Sequence, residues 1–113
     1  MRLSSELIDG AQVVRVEEER IDASVAIQFK DRMRDIAGGG GRMILDLGRV
    51  AFVDSSGLGA IVAVMKFLAP ACKLELAALS PNVGKVFHMT RMDSVFTIHA
   101  LAPGQGHGHG HAV

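Results

Sequence analysis

The chain has 113 residues, the size of one ordinary domain, and should bury roughly 65% of its extended surface, enough for a core without staples. Lys plus Arg number 12 and Asp plus Glu number 12, so the formal net charge is zero. That balance argues against nucleic acid as the main partner, since phosphate binding selects a basic excess, and the absence of Trp and Tyr leaves base stacking poorly served. Cys72 is the sole cysteine and lies in an apolar run, so no disulfide closes within one chain; an inert buried thiol in a reducing cytosol fits. Residues 1–5 hold no apolar signal core. The longest apolar run, 58–72, is interrupted by Lys66 and Pro70 and is too short to span a bilayer. The expectation is a soluble cytoplasmic protein with no membrane insertion.

Taken in order, Leu7 and Ile8 precede Asp9-Gly10, and Val13, Val14 and Val16 follow. An Asp-Gly pair between two such runs marks a hairpin. Glu17 to Glu19 read as a solvated strand end. Asp22 is placed to cap a helix whose apolar stripe is Ala26, Phe29, Met33, Ile36 and Ala37, at helical period. Gly38 to Gly41 end it as a connector, since no Lys-Ser or Lys-Thr follows at phosphate-loop spacing. Met43, Ile44, Leu45 and Leu47 form a continuous apolar run, as in a strand buried on both faces beneath helices. Val50 to Val53 carry that character up to Asp54.

The next helix reads from Ser56 to about Leu68, and Pro70 stops it. Leu58, Ile61, Val62, Met65, Leu68 and Ala69 form its core stripe. Ala60, Val64 and Phe67 form a second apolar face. A helix apolar nearly all round is either buried on both sides or keeps one face for a partner. Leu74, Leu76 and Leu79 mark another strand. Ser80-Pro81 opens a short helix, with the serine as cap and Val83, Val86 and Phe87 facing the core. Val95, Phe96 and Ile98 fit a last short strand or the start of a packed tail. Strands alternating with helices, after a hairpin, give an α/β fold with a mixed sheet. Residues 103–113 alternate glycine with His107, His109 and His111, and read as a disordered tail without a metal pocket, beyond a domain of residues 1–102.

Chemistry concentrates in Asp54-Ser55-Ser56-Gly57-Leu58-Gly59, where a strand hands over to a helix. A helix start offers free N–H groups and partial positive charge, so a serine there either caps the helix or carries a tolerated phosphate. A nucleophile elbow needs a glycine two residues before the serine, and Val53 and Asp54 stand in those places. A triad of Ser55 with His88 and a carboxylate is not demanded by any motif. A small serine hydrolase therefore ranks low, and no cofactor is called for.

The run Phe52-Val53-Asp54-Ser55-Ser56-Gly57-Leu58-Gly59 closely resembles the signature of the STAS domains, the bacterial anti-sigma factor antagonists. Arg20-Ile21-Asp22 is similar to the segment before the family's first helix, Ile44-Leu45-Asp46-Leu47 to the strand before the signature, and Leu79-Ser80-Pro81-Asn82-Val83 with Val86-Phe87 to the helix after the fourth strand. The likeness covers about residues 5 to 100. It implies a STAS-type mixed sheet of four to five strands faced by three to four helices. It also implies phosphorylation at Ser55, with Ser56 as the fallback, and signal transduction by partner switching. The unphosphorylated form captures an anti-sigma factor with serine kinase activity, which then releases its sigma factor. A metal-dependent serine phosphatase reverses the modification. Asp22, Asp54, Ser56, Gly57, Leu58, Ala60, Val64 and Phe67 are the expected partner-binding residues; Ser56 is also the expected cap, and Gly57 and Gly59 the residues that keep the helix start uncrowded. Two departures stand out: the family has glycine where Arg20 stands, and closes with another helix where this chain reaches Pro103. STAS-like chains also serve as cytoplasmic subunits of lipid-transport complexes, which is the alternative role.

Overall fold

The structure is a computed structural model that describes residues 1–38 and 40–104. The three tail histidines and the rest of the expected tail from residue 105 lie outside the described residues.

Strands β1 (Leu3–Ile8) and β2 (Ala11–Val16) pair antiparallel, with Ile8 opposite Ala11. Asp9 and Gly10 form the turn at φ of 51° and 81°. Two successive positive φ values match the twist of a tight hairpin, which is why Asp-Gly stands there. Strands β4 (Gly41–Asp46), β6 (Cys72–Ala77) and β7 (Ile98–His99) extend the sheet in parallel, giving the order β1-β2-β4-β6-β7. Two short strands, β3 (Arg20–Ile21) and β5 (Phe52–Val53), form a separate parallel ribbon. Helices α1 (Ala26–Ile36), α2 (Ser55–Leu68) and α3 (Pro81–Met89) complete a mixed α/β fold of five-stranded sheet and three helices. No helix among the described residues is long and apolar enough to cross a membrane.

Side-chain alternation divides the sheet. Val14, Val16, Met43, Leu45, Leu74 and Leu76 join Phe29 and Met33 of α1, Ile61 and Val64 of α2, and Val83 and Phe87 of α3 in one core. All three helices thus pack on one face. The other face carries Ala11, Val13, Ile44 and Ala77, covered by Ala102 of the C-terminal segment. The run at Met43 to Leu47 is buried on both faces, as its composition indicates, but a returning chain rather than a helix covers the second.

Two capping expectations are corrected. Val25, not Asp22, occupies the cap position of α1, and it makes no side-chain cap bond. Asp22 Oδ1 instead accepts from Ser24 N at 3.1 Å and Ser24 Oγ at 2.6 Å, closing a local turn ahead of the helix. Ser80 precedes α3 as expected, but its hydroxyl donates to the Val50 carbonyl at 2.9 Å and ties the two loops together.

The reverse face also holds an ion cluster. Arg42 donates to Glu75 through Nε at 3.0 Å and Nη2 at 2.9 Å, and His99 Nε2 lies 2.6 Å from Glu75 Oε1. Glu75 is only 4% exposed, so these partners are what allow it to stay charged there. Arg42's hydrogen bonds, reinforced by His99 and opposed by burial, hold the Glu75 carboxyl at about 2 against its ordinary 4.5. A depressed carboxylate stabilises the fold above the unfolded value and loses that contribution as pH falls through the folded one. Urea denaturation between pH 4.5 and 2 should therefore show wild type losing stability more steeply than Glu75→Gln; equal slopes would contradict this role.

Candidate functional site

The site is built around Asp54. Its backbone is extended, at φ −94° and ψ −175°, and its carbonyl accepts Leu58 N at 2.8 Å to open α2. Its carboxylate is divided between two elements. Oδ1 accepts Gly57 N at 2.8 Å and caps α2; Oδ2 accepts Ala23 N at 3.2 Å and fixes the turn that leads into α1. The cap is therefore Asp54, not Ser56. Aspartate and serine are about equally good caps, but only the aspartate has a second oxygen for the neighbouring turn.

This releases both serines. Ser55 and Ser56 are exposed, and among the described residues neither hydroxyl makes a hydrogen bond. Ser55 is the first residue of a 14-residue helix, where the unsatisfied N–H groups and the helix dipole favour an anion. His88 pairs with Asp93 at 2.8 Å, and no hydrogen bond among the described residues joins it to Ser55. No group of three or more His, Cys, Asp and Glu among the described residues is placed to hold a metal. Cys72 is buried, which pushes its thiol pKa up and keeps it unreactive.

Gly57, Ala60 and Val64 behind the serines take other places than expected. A Cβ on Gly57 would overlap the carbonyl oxygen of Ile21, so this buried glycine lets α2 sit directly on β3 rather than keeping the surface clear. Gly59 is exposed, and a Cβ there would meet nothing within 4 Å. Ala60 is 3% exposed and Val64 fully buried, both within the main core, so they are not available as a partner surface. Phe67 is half-buried, with the Arg34 guanidinium of α1 stacked 4.6 Å from its ring centroid. The second apolar face of α2 is thus largely occupied by the protein's own chain. Leu58 remains half-buried beside the serines.

The ribbon sets Asp22 beside Asp54 and adds Arg20 and Phe52, for which the sequence indicated no role at the site. In the parallel register Arg20 lies opposite Phe52 and Ile21 opposite Val53. Ile21 and Val53 point into the core, so Arg20, Asp22, Phe52 and Asp54 share the outer face. The Arg20 guanidinium stacks 4.5 Å from the Phe52 ring centroid, and its Nε donates to Asp22 Oδ2 at 3.2 Å. Hydrogen bonds from Ser24, then from Arg20, hold the Asp22 carboxyl below its usual range. The i, i+2 spacing of Arg20 and Asp22 was the available signal for a shared strand face. Beside the ribbon lies an open cleft of about 580 Å³ whose lining mixes Arg2, Arg20 and Arg49 with Glu18, Glu19 and Asp22.

This is a sheet-and-helix module that presents a free serine at a capped helix start. The STAS domain family model matches residues 2–101, and the chain belongs to that family. It is 29% identical over 106 residues, 87% of this chain and 85% of the relative, to BtrV of Bordetella bronchiseptica, assigned as an anti-sigma factor antagonist. Its fold is similar to an anti-sigma factor antagonist from Mycobacterium paratuberculosis, with a TM-score of 0.75 and 25% identity over 87% of this chain and 84% of the other. It is also similar to the anti-sigma factor antagonist SpoIIAA in its unphosphorylated form, with a TM-score of 0.66 and 25% identity over 88% of each chain.

The two glycines give opposed expectations. Gly57→Ala should cost about 3 kcal/mol or more, since Ile21's backbone must move. Gly59→Ala should be neutral or stabilising by up to ~1 kcal/mol, through helix propensity. Chemical denaturation of the two variants checks this; similar losses in both would contradict the assigned contact.

Proposed function

We propose that this protein is an anti-sigma factor antagonist, a binding module that is the substrate of a kinase and performs no chemistry of its own. In its unphosphorylated form it captures an anti-sigma factor with serine kinase activity, and a metal-dependent serine phosphatase resets it. The observation that carries this reading is the Ser55 hydroxyl, exposed at a helix start whose cap is supplied by Asp54. A kinase can modify it without removing a bond that holds the fold. The capture surface is then the outer end of α2 with the adjoining ribbon: Ser55, Ser56, Leu58, Asp22 and Asp54. Gly57, Ala60 and Val64 support it from beneath.

The electrostatics of the switch follow. A phosphoserine carries about −1.5 to −2 charge at neutral pH. At a helix N-terminus that charge is favoured by up to ~2 kcal/mol, so the fold stands. A partner that sets carboxylates or a dry apolar patch against Ser55 meets like charge or an unsolvated anion instead, at a cost of several kcal/mol. Each ~1.4 kcal/mol is tenfold in affinity.

Calorimetric binding of wild type, Ser55→Ala and Ser55→Asp to an ATPase-type anti-sigma factor from the same organism tests the proposal. Ser55→Ala should bind like wild type and stay bound in the presence of ATP, while Ser55→Asp should bind at least about tenfold more weakly. Equal affinity for all three would reject the switch.

A further inference from the structure

Arg20 is the one cation on the outer face of the ribbon that leads into Ser55, and its side chain is already organised. Stacking on Phe52 at 4.5 Å fixes the plane of the guanidinium. The bond from Nε to Asp22 Oδ2 at 3.2 Å fixes its rotation within that plane. Asp22 is itself held by Ser24 through two bonds to its other oxygen, so the anchor does not swing. Among the described residues neither Nη1 nor Nη2 of Arg20 has a hydrogen-bond partner, and the side chain is 62% exposed. The result is a planar fork of N–H donors, ordered but unspent, the arrangement that suits bidentate recognition of an oxyanion.

The direction of this fork matters. Because β3 and β5 run parallel, a side chain that leaves Arg20 towards Asp22 travels the way the partner strand runs from Phe52 to Asp54. Ser55 follows Asp54 directly. The turn after Asp22 is bonded to Asp54 through Ala23 N, so the two chains do not diverge before the serine is reached. The two aspartates on this face are already engaged. Asp54 uses both oxygens on backbone N–H groups, and Asp22 uses both on Ser24 and Arg20. A new anion here therefore finds the outer nitrogens of Arg20 free beyond the helix start, with Arg2 and Arg49 lining the same cleft.

We propose that Arg20 is a preset oxyanion fork that receives the phosphate carried by Ser55. The inference rests on Ser55 being the modified residue, and it goes further by naming what holds the phosphate once it is there. The phosphorylated state is then a defined arrangement, with the phosphate bridged between the α2 start and the Arg20 fork, rather than a charge left free in solvent. The Nε bond to Asp22 and the stack on Phe52 survive this, since the phosphate uses only the outer nitrogens.

The test does not need a kinase. The full chain is produced with phosphoserine installed at position 55 by genetic code expansion, and its second ionisation is followed by phosphorus NMR against pH. A nearby cation favours the dianion, so the midpoint, ordinarily about 6, should fall. Removing the fork in Arg20→Gln should raise the midpoint by about one pH unit relative to wild type. Arg20→Lys, a point charge without a fork, should lie between the two. Arg34→Gln removes the other arginine stacked on an aromatic ring and should titrate as wild type does. Identical midpoints for wild type and Arg20→Gln would overturn the proposal, as would an equal shift in Arg34→Gln. Arg20→Lys matching wild type would overturn the bidentate assignment. Because the phosphate is placed chemically, a negative result here leaves partner capture to be judged by its own experiment.

Discussion

The arrangement depends on how one carboxylate is shared. Asp54 spends one oxygen on the start of α2 and the other on the turn before α1. A serine in its place could satisfy only the first. Because the aspartate does both, two helix entrances are fixed relative to one another and the hydroxyl that follows is left without a structural duty. A group that bears load cannot be modified without disturbing the fold; a group adjacent to the load can. The free serine is thus a consequence of the cap.

The ribbon makes that sharing possible. Only two residues from each strand pair, yet they set Ile21 against Val53 in the core and bring Asp22 beside Asp54 on the surface. Gly57 completes the junction by letting α2 approach the Ile21 carbonyl more closely than any side chain permits. Beneath, Ala60, Ile61 and Val64 anchor the helix in the main core. The site is therefore a rigid edge on a packed scaffold. Its chemistry lies in which donors and acceptors remain unspent at that edge: the serine hydroxyls, and the outer nitrogens of Arg20.

The long elements were legible in the sequence because their physics is local. Asp9-Gly10 announces its own positive φ values, and the spacing of Phe29 and Met33 records which face of α1 is buried. The position of Ser55 at a strand-to-helix junction was equally plain. What escaped was decided by tertiary partners. Two-residue strands carry no period to read. Asp54 and Ser56 are comparable caps by chemistry alone, and the choice turned on Ala23 N, which is far away in sequence. The apolar second face of α2 has the same composition whether the protein's own helix or another protein covers it; here α1 and the core take Ala60 and Val64. Ser80 looked like a cap because it precedes a proline, yet the Val50 carbonyl claimed its hydroxyl. The spacing of Arg20 and Asp22 could place them on one strand face, but the meaning of Arg20 depends on Phe52 across the ribbon.

The central claim is that Ser55, freed by the Asp54 cap, is the residue that is switched. Tandem mass spectrometry of the chain after incubation with ATP and an anti-sigma factor of the proposed kinase type tests this most directly. The account predicts a single phosphate on Ser55, retained in Ser56→Ala and lost in Ser55→Ala. Phosphate on Ser56, or an unmodified chain with an active kinase, would contradict it.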